Sequence, residues 1–72
     1  MPKLPVLSGA DVVKALERLG FEQVRQRGSH VVMRRGGSGT VVPLHKEVKT
    51  GTLAGLLRQA QVGLDEFLGA VR

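Results

Sequence analysis

Apolar residues recur along this chain in two periods, and the switches between them divide it into helix, sheet and helix. Val12, Ala15, Leu16 and Leu19 fall at i, i+3, i+4 and i+7, the stripe of an amphipathic helix. Ser8 stands at the N-cap position, and Asp11 completes a capping box of the Ser-x-x-acid type. Leu7 and Val12 occupy the positions of a hydrophobic staple. Gly20 follows as the C-terminal stop. From Phe21 to Arg27 the pattern becomes strand-like and half polar. Gly28-Ser29 then turns the chain into the β-branched run His30-Val31-Val32-Met33-Arg34-Arg35. Gly36 to Gly39 reads as a flexible hairpin connection and Thr40 to Leu44 as a third strand. Pro43 cannot donate to a ladder, so it belongs at a sheet edge or a strand end.

The helical period returns near Thr50, where Leu53, Leu56, Leu57 and Ala60 form a second stripe. Gly55 inside that helix costs roughly 1 kcal/mol relative to Ala, which predicts close packing against its face. Gly63 suits the N-cap of a short third helix with the stripe Leu64, Phe67, Leu68 and Val71, and Asp65 and Glu66 favour its first turn. The order is α-β-β-β-α-α, with Phe21 to Leu44 as an antiparallel meander. Three apolar helix faces need a common partner, and one face of the meander is the candidate. The fold class is therefore α+β, in two layers, with the second sheet face open. Val31, Val32 and Met33 are all apolar, so the pattern leaves undecided which face of the middle strand is buried.

Seventy-two residues make a single domain, 1–72. A chain of this size buries only about 60% of the surface its unfolded form exposes. It contains no cysteine, so neither disulfides nor thiolate ligands reinforce it. Phe21 and Phe67 are the whole aromatic complement, which argues against recognition of single strands by stacked bases. No apolar run approaches the roughly 20 residues of a membrane span. Met1 to Leu7 carries Pro2 and Pro5 and lacks a continuous apolar stretch, so it does not read as a signal peptide. A cytoplasmic location is expected.

Charge changes the picture most. Between Gln23 and Thr50 lie Arg25, Arg27, Arg34, Arg35, Lys46 and Lys49, opposed by Glu47 alone; elsewhere, basic and acidic side chains cancel. The net charge of +5 is thus confined to one stretch around Gly28-Ser29-His30. Such concentration favours a phosphate-rich partner. An imidazole has an ordinary pKa near 6.5, suited to moving a proton at neutral pH. Ser29 offers a hydroxyl and an N–H to a phosphate oxygen. On residue types alone, His30 is also consistent with an exposed strand-start histidine of no special role. Ser29 and His30 do not make a serine-hydrolase pair, because neighbours on a strand point to opposite faces. His30 and His45, 15 residues apart without an acid at ligand spacing, do not suggest a metal site. Gly36 to Gly39 lacks the Lys-Ser/Thr and the following helix of a P-loop. His45 closes the third strand, where it can contact phosphate, transfer a second proton or simply be exposed.

Taken together, these pieces resemble the HicA (YcfA-like) family of small toxins, which act as mRNA interferases. The resemblance runs from Ser8-Gly9 and Leu19-Gly20-Phe21 through Arg25-Gln26-Arg27-Gly28-Ser29-His30 to Val42-Pro43-Leu44-His45. Gly51-Thr52-Leu53, Leu56-Leu57-Arg58-Gln59-Ala60 and Glu66-Phe67-Leu68 complete it. One departure is His45-Lys46-Glu47-Val48-Lys49, shorter than in many members. The resemblance implies a double-stranded-RNA-binding-domain-like fold, ribonuclease activity on mRNA and a HicB-type antitoxin partner. It also places the family's functional histidine on His30. The expectation is a metal-independent endoribonuclease without a cofactor. In it, RNA phosphates meet Arg25, Arg27, Ser29, Arg34, Arg35, His45 and Lys46 on the open sheet face. His30 acts as general base, and His45 is the first candidate for general acid. The alternatives are a non-catalytic RNA-binding module using the same basic face, or an antitoxin-binding protein whose nuclease activity has decayed.

Overall fold

The computed structural model describes residues 6–71, so Pro2 and Pro5 lie outside the described residues. The first helix, α1, spans Gly9–Arg18, and the strands β1, β2 and β3 span Glu22–Arg27, His30–Arg35 and Ser38–Pro43. Two further helices follow, α2 at Thr50–Ala60 and α3 at Leu64–Ala70. The strands form one antiparallel sheet in the order β1-β2-β3, so β2 is central and β3, with Pro43 as its last residue, is an edge. This is the helix, three-stranded meander and helix arrangement expected of a double-stranded-RNA-binding-domain-like fold. No helix among the described residues is long and apolar enough to cross a membrane.

Local sequence explains each boundary. The Ser8 hydroxyl accepts from the Asp11 N–H at 3.1 Å, capping α1. Gly20, at a φ of +96°, takes the left-handed conformation that lets the chain leave the helix. The first hairpin turns at Gly28-Ser29 as expected, and the second is tighter than the sequence suggests. Arg27 pairs with His30 across Gly28-Ser29, and Arg35 pairs with Ser38 across Gly36-Gly37. In each two-residue turn the first central residue is a glycine at positive φ, +56° for Gly28 and +59° for Gly36. This is the arrangement of a II′ hairpin turn. Ser38 and Gly39 therefore belong to β3, and the flexible glycine loop shrinks to two residues.

The core lies between one face of the sheet and the helices. Val31 and Met33 from β2 and Val42 from β3 meet Val12, Ala15 and Leu16 of α1, Leu53, Leu56, Leu57 and Ala60 of α2, and Phe67 of α3. The first two helical stripes are buried as predicted, with Leu19 only partly so. In α3, Phe67 and Ala70 are buried while Leu64, Leu68 and Val71 are partly exposed. Arg18 ties the end of α3 to α1 by donating to the Ala70 carbonyl at 2.8 Å.

Two glycines behave in opposite ways. Gly9 is buried at the start of α1, and its N–H donates to the His45 carbonyl at 2.8 Å. A Cβ there would overlap the Pro43 carbonyl oxygen and stand 2.6 Å from Leu44 Cα, backbone that has no rotamer to yield. Gly55 in α2 faces open space, which corrects the expectation that close packing explains it. Gly9→Ala is expected to lower stability by about 1–3 kcal/mol through overpacking. Gly55→Ala is expected to raise it by about 0.5–1 kcal/mol through helix propensity. Urea unfolding of the two variants against the parent checks both signs.

Candidate functional site

Alternation along β2 decides what the open face presents. Val31 and Met33 point into the core, so His30, Val32 and Arg34 point out. Residues directly opposite in neighbouring strands share a face, and the register builds three rows across the sheet. The first is Arg27, His30 and Pro43; the second is Arg25, Val32 and Val41; the third is Glu22, Arg34 and Gly39. A β-bulge between Gln23 and Arg25 takes up Val24, which is left half exposed. Because of that extra residue, Gln23 returns to the inner side, where its amide donates to Glu17 of α1, while Arg25 stays outside. Nothing in the sequence pattern announced the bulge.

His45 joins this face through its backbone. Leu44 N–H donates to the Ser29 carbonyl at 2.6 Å, carrying the β2–β3 contact past Pro43. The Gly9 bond to the His45 carbonyl fixes the next residue. Val48 N–H then donates to the Leu7 carbonyl at 2.7 Å, closing the loop before α2. These three bonds bring the His30 and His45 rings to 6.5 Å between centroids, edge to face at 70°. Both residues are exposed, as are Ser29 in the turn and Lys46 in the loop beside them. Among the described residues, no carboxylate lies within ion-pair distance of Arg25, Arg27, Arg34 or Lys46. The exposed end of the sheet therefore combines two imidazoles with unneutralised cations. Such a set can bind a phosphodiester and exchange protons with it. Among the described residues no three His, Asp or Glu side chains converge as a metal-ligand set would require.

Arg35 is separated from the others. It follows Arg34 on a strand, so it points to the inner side, where its guanidinium lies 4.7 Å from the Phe21 ring centroid. One of its nitrogens donates to the Leu19 carbonyl at 2.9 Å and to Glu66 at 3.1 Å. The residue expected to grip phosphate instead ties β2 to the end of α1 and to α3. Arg25, Arg27, Arg34, Ser29, His45 and Lys46 remain accessible with His30.

Comparison with known protein families matches residues 9–62 to the family described as the HicA toxin of bacterial toxin–antitoxin systems. The chain belongs to the HicA toxin family. A comparison with curated proteins finds no matching relative. The matched span holds every accessible cation named above and both histidines, whereas α3 lies beyond it. In this HicA chain, α3 is attached through Phe67, the Arg18 bond and the Arg35–Glu66 pair at 3.1 Å. Arg35→Ala is expected to cost about 1–2 kcal/mol in urea unfolding. It removes charged hydrogen bonds and a cation–π contact, discounted for partial exposure. Arg34→Ala, on the open face, is expected to change stability by less than about 0.5 kcal/mol.

Proposed function

We propose that this HicA toxin is a metal-independent endoribonuclease that cleaves mRNA on the open face of its sheet. The observation that carries the reading is the pairing of His30 with His45, 6.5 Å apart, at the end of a face lined by unpaired arginines. The RNA backbone lies along the cationic column of β1, with Arg25 and Arg27 on phosphates and Ser29 and Lys46 at the turn and loop. His30 removes the proton from a ribose 2′-hydroxyl. The freed oxygen attacks the adjacent phosphorus in line, and the bond from phosphorus to the 5′-oxygen breaks. His45 supplies the proton that the departing 5′-oxygen takes up. The products are a 2′,3′-cyclic phosphate end and a 5′-hydroxyl end. Neighbouring guanidinium groups stabilise the charge that builds on the phosphoryl oxygens. The 2′-hydroxyl, being the nucleophile, restricts the reaction to RNA.

Two exposed imidazoles on one cationic face also define what a cognate antitoxin has to cover. An acidic surface of a HicB-type partner seated over His30, His45 and Arg27 would exclude RNA by charge and by volume together.

General base catalysis contributes typically 10²–10⁴-fold, so His30→Ala is expected to slow cleavage by about that factor without loss of folding. His45→Ala is expected to slow it also, by removing the group that protonates the departing 5′-oxygen. Cleavage of RNA in the presence of chelator, with analysis of the ends, checks the scheme. Equal activity in His30→Ala, or undiminished cutting at a 2′-deoxy position, would exclude it.

A further inference from the structure

The far end of the open face carries a shallow concavity of about 210 Å³, lined by Val32, Arg34, Gly39, Thr40, Val41 and Gln59. We infer that this concavity is a nucleobase subsite selective for guanine or uracil, an inference that rests on the RNA reading above.

Its floor is the cross-strand pair Val32 and Val41, apolar side chains directly opposite one another in the register. Val41 is 42% exposed, on a face that also carries the exposed cations Arg25, Arg27 and Arg34. Apolar floor and cationic rim suit the flat face of a heterocycle attached to a phosphodiester backbone; a phosphate alone would gain nothing from the valines. The rim is built from two groups, Arg34 and Gln59. Gly39, opposite Arg34, has no side chain, and the Arg34 stem lies across it: a Cβ at Gly39 would stand 3.4 Å from Arg34 Cγ and 3.9 Å from its Nε. The side chain thus leans over β3, and it makes no ion pair with Glu22, its partner on the opposite strand. Gln59 reaches the same concavity from α2. Its Oε1 accepts from the Thr40 hydroxyl at 3.1 Å, and Thr40 is only 3% exposed. With the oxygen of the amide committed to a buried hydroxyl, its NH₂ is the group left for a ligand.

The side chains of the rim thus present hydrogen-bond donors: five N–H groups of Arg34 and the Gln59 NH₂. Guanine answers with O6 and N7, and uracil with O4, all acceptors. Adenine keeps the N7 acceptor but sets an amino group where guanine has O6, and cytosine sets one where uracil has O4, donor against donor. The subsite lies along β2 from the proposed general base. At about 3.3 Å per residue, Val32 is roughly 7 Å and Arg34 roughly 13 Å from His30. A base seated there belongs to a nucleotide near the scissile bond rather than the one attacked, so the subsite selects where the chain is cut.

The test is a pool of short oligoribonucleotides randomised on both sides of the cut, incubated with the parent, Gln59→Leu and Gln59→Glu. Cleaved ends and the protein-bound fraction are sequenced separately. The parent is expected to favour guanine or uracil about fivefold or more at one fixed position. Gln59→Leu is expected to flatten that position while still cutting the pool. Gln59→Glu replaces the donor by an acceptor and is expected to turn the preference toward adenine or cytosine, an inversion that a purely structural role for Gln59 does not produce. Cutting by the parent with no base preference, or with a preference untouched by both variants, overturns the subsite and leaves the nuclease standing. Absence of cutting removes the nuclease reading instead. In that case enrichment of guanine or uracil in the bound fraction, lost in Gln59→Leu, still supports the subsite, and its absence overturns it.

Discussion

Burial of Val31 and Met33 under the helices is the constraint on which the rest depends. Each side chain removed from water contributes about 1.5–3 kcal/mol, a large share of the margin of so small a domain. With those two residues turned inward, strand geometry leaves no freedom for their neighbours. His30, Val32 and Arg34 must face outward, and the register then aligns Arg27 and Arg25 beside them. A slip of one residue would bury His30 and expose the core, so the same packing energy that holds the fold together also holds the chemistry in place.

The second histidine is positioned by a different device. His45 lies on a loop, yet its neighbours are tied to three separate parts of the chain: the β1–β2 turn through Ser29, the start of α1 through Gly9 and the segment before α1 through Leu7. Gly9 is what permits this convergence, because only a residue without a side chain lets the first turn of α1 rest on the end of β3. A helix N-cap, a hairpin turn and a strand end thus meet at one point. The geometry of the histidine pair follows from backbone bonds rather than from contacts of the rings themselves.

The basic residues illustrate how charge counted along a sequence becomes two different things in space. Arg34 and Arg35 are adjacent and chemically identical, but a strand sends them to opposite sides. One extends over Gly39 on the open face; the other covers Phe21 and joins Glu66 of α3, the helix beyond the span shared with the HicA family. A cation on the inner side is tolerated because it keeps an aromatic face, a carbonyl and a carboxylate as partners while remaining partly in contact with water.

Much of the fold is legible in the sequence alone. The 3.6-residue stripes of α1 and α2, the Ser8 cap, the Gly20 stop and the glycine-led turns are local signals, and local energetics decide them. So were His30 as a candidate and the surplus of positive charge around it, since residue type alone sets that chemistry. The face of β2 that is buried was not legible, because three consecutive apolar residues satisfy either choice. The bulge at Val24, the role of Arg35, the meeting of His30 with His45 and the pairing of Thr40 with Gln59 were not legible for a common reason. Each depends on residues distant in sequence whose separation is fixed only when the sheet and helices pack, and no periodicity along a single segment encodes that distance.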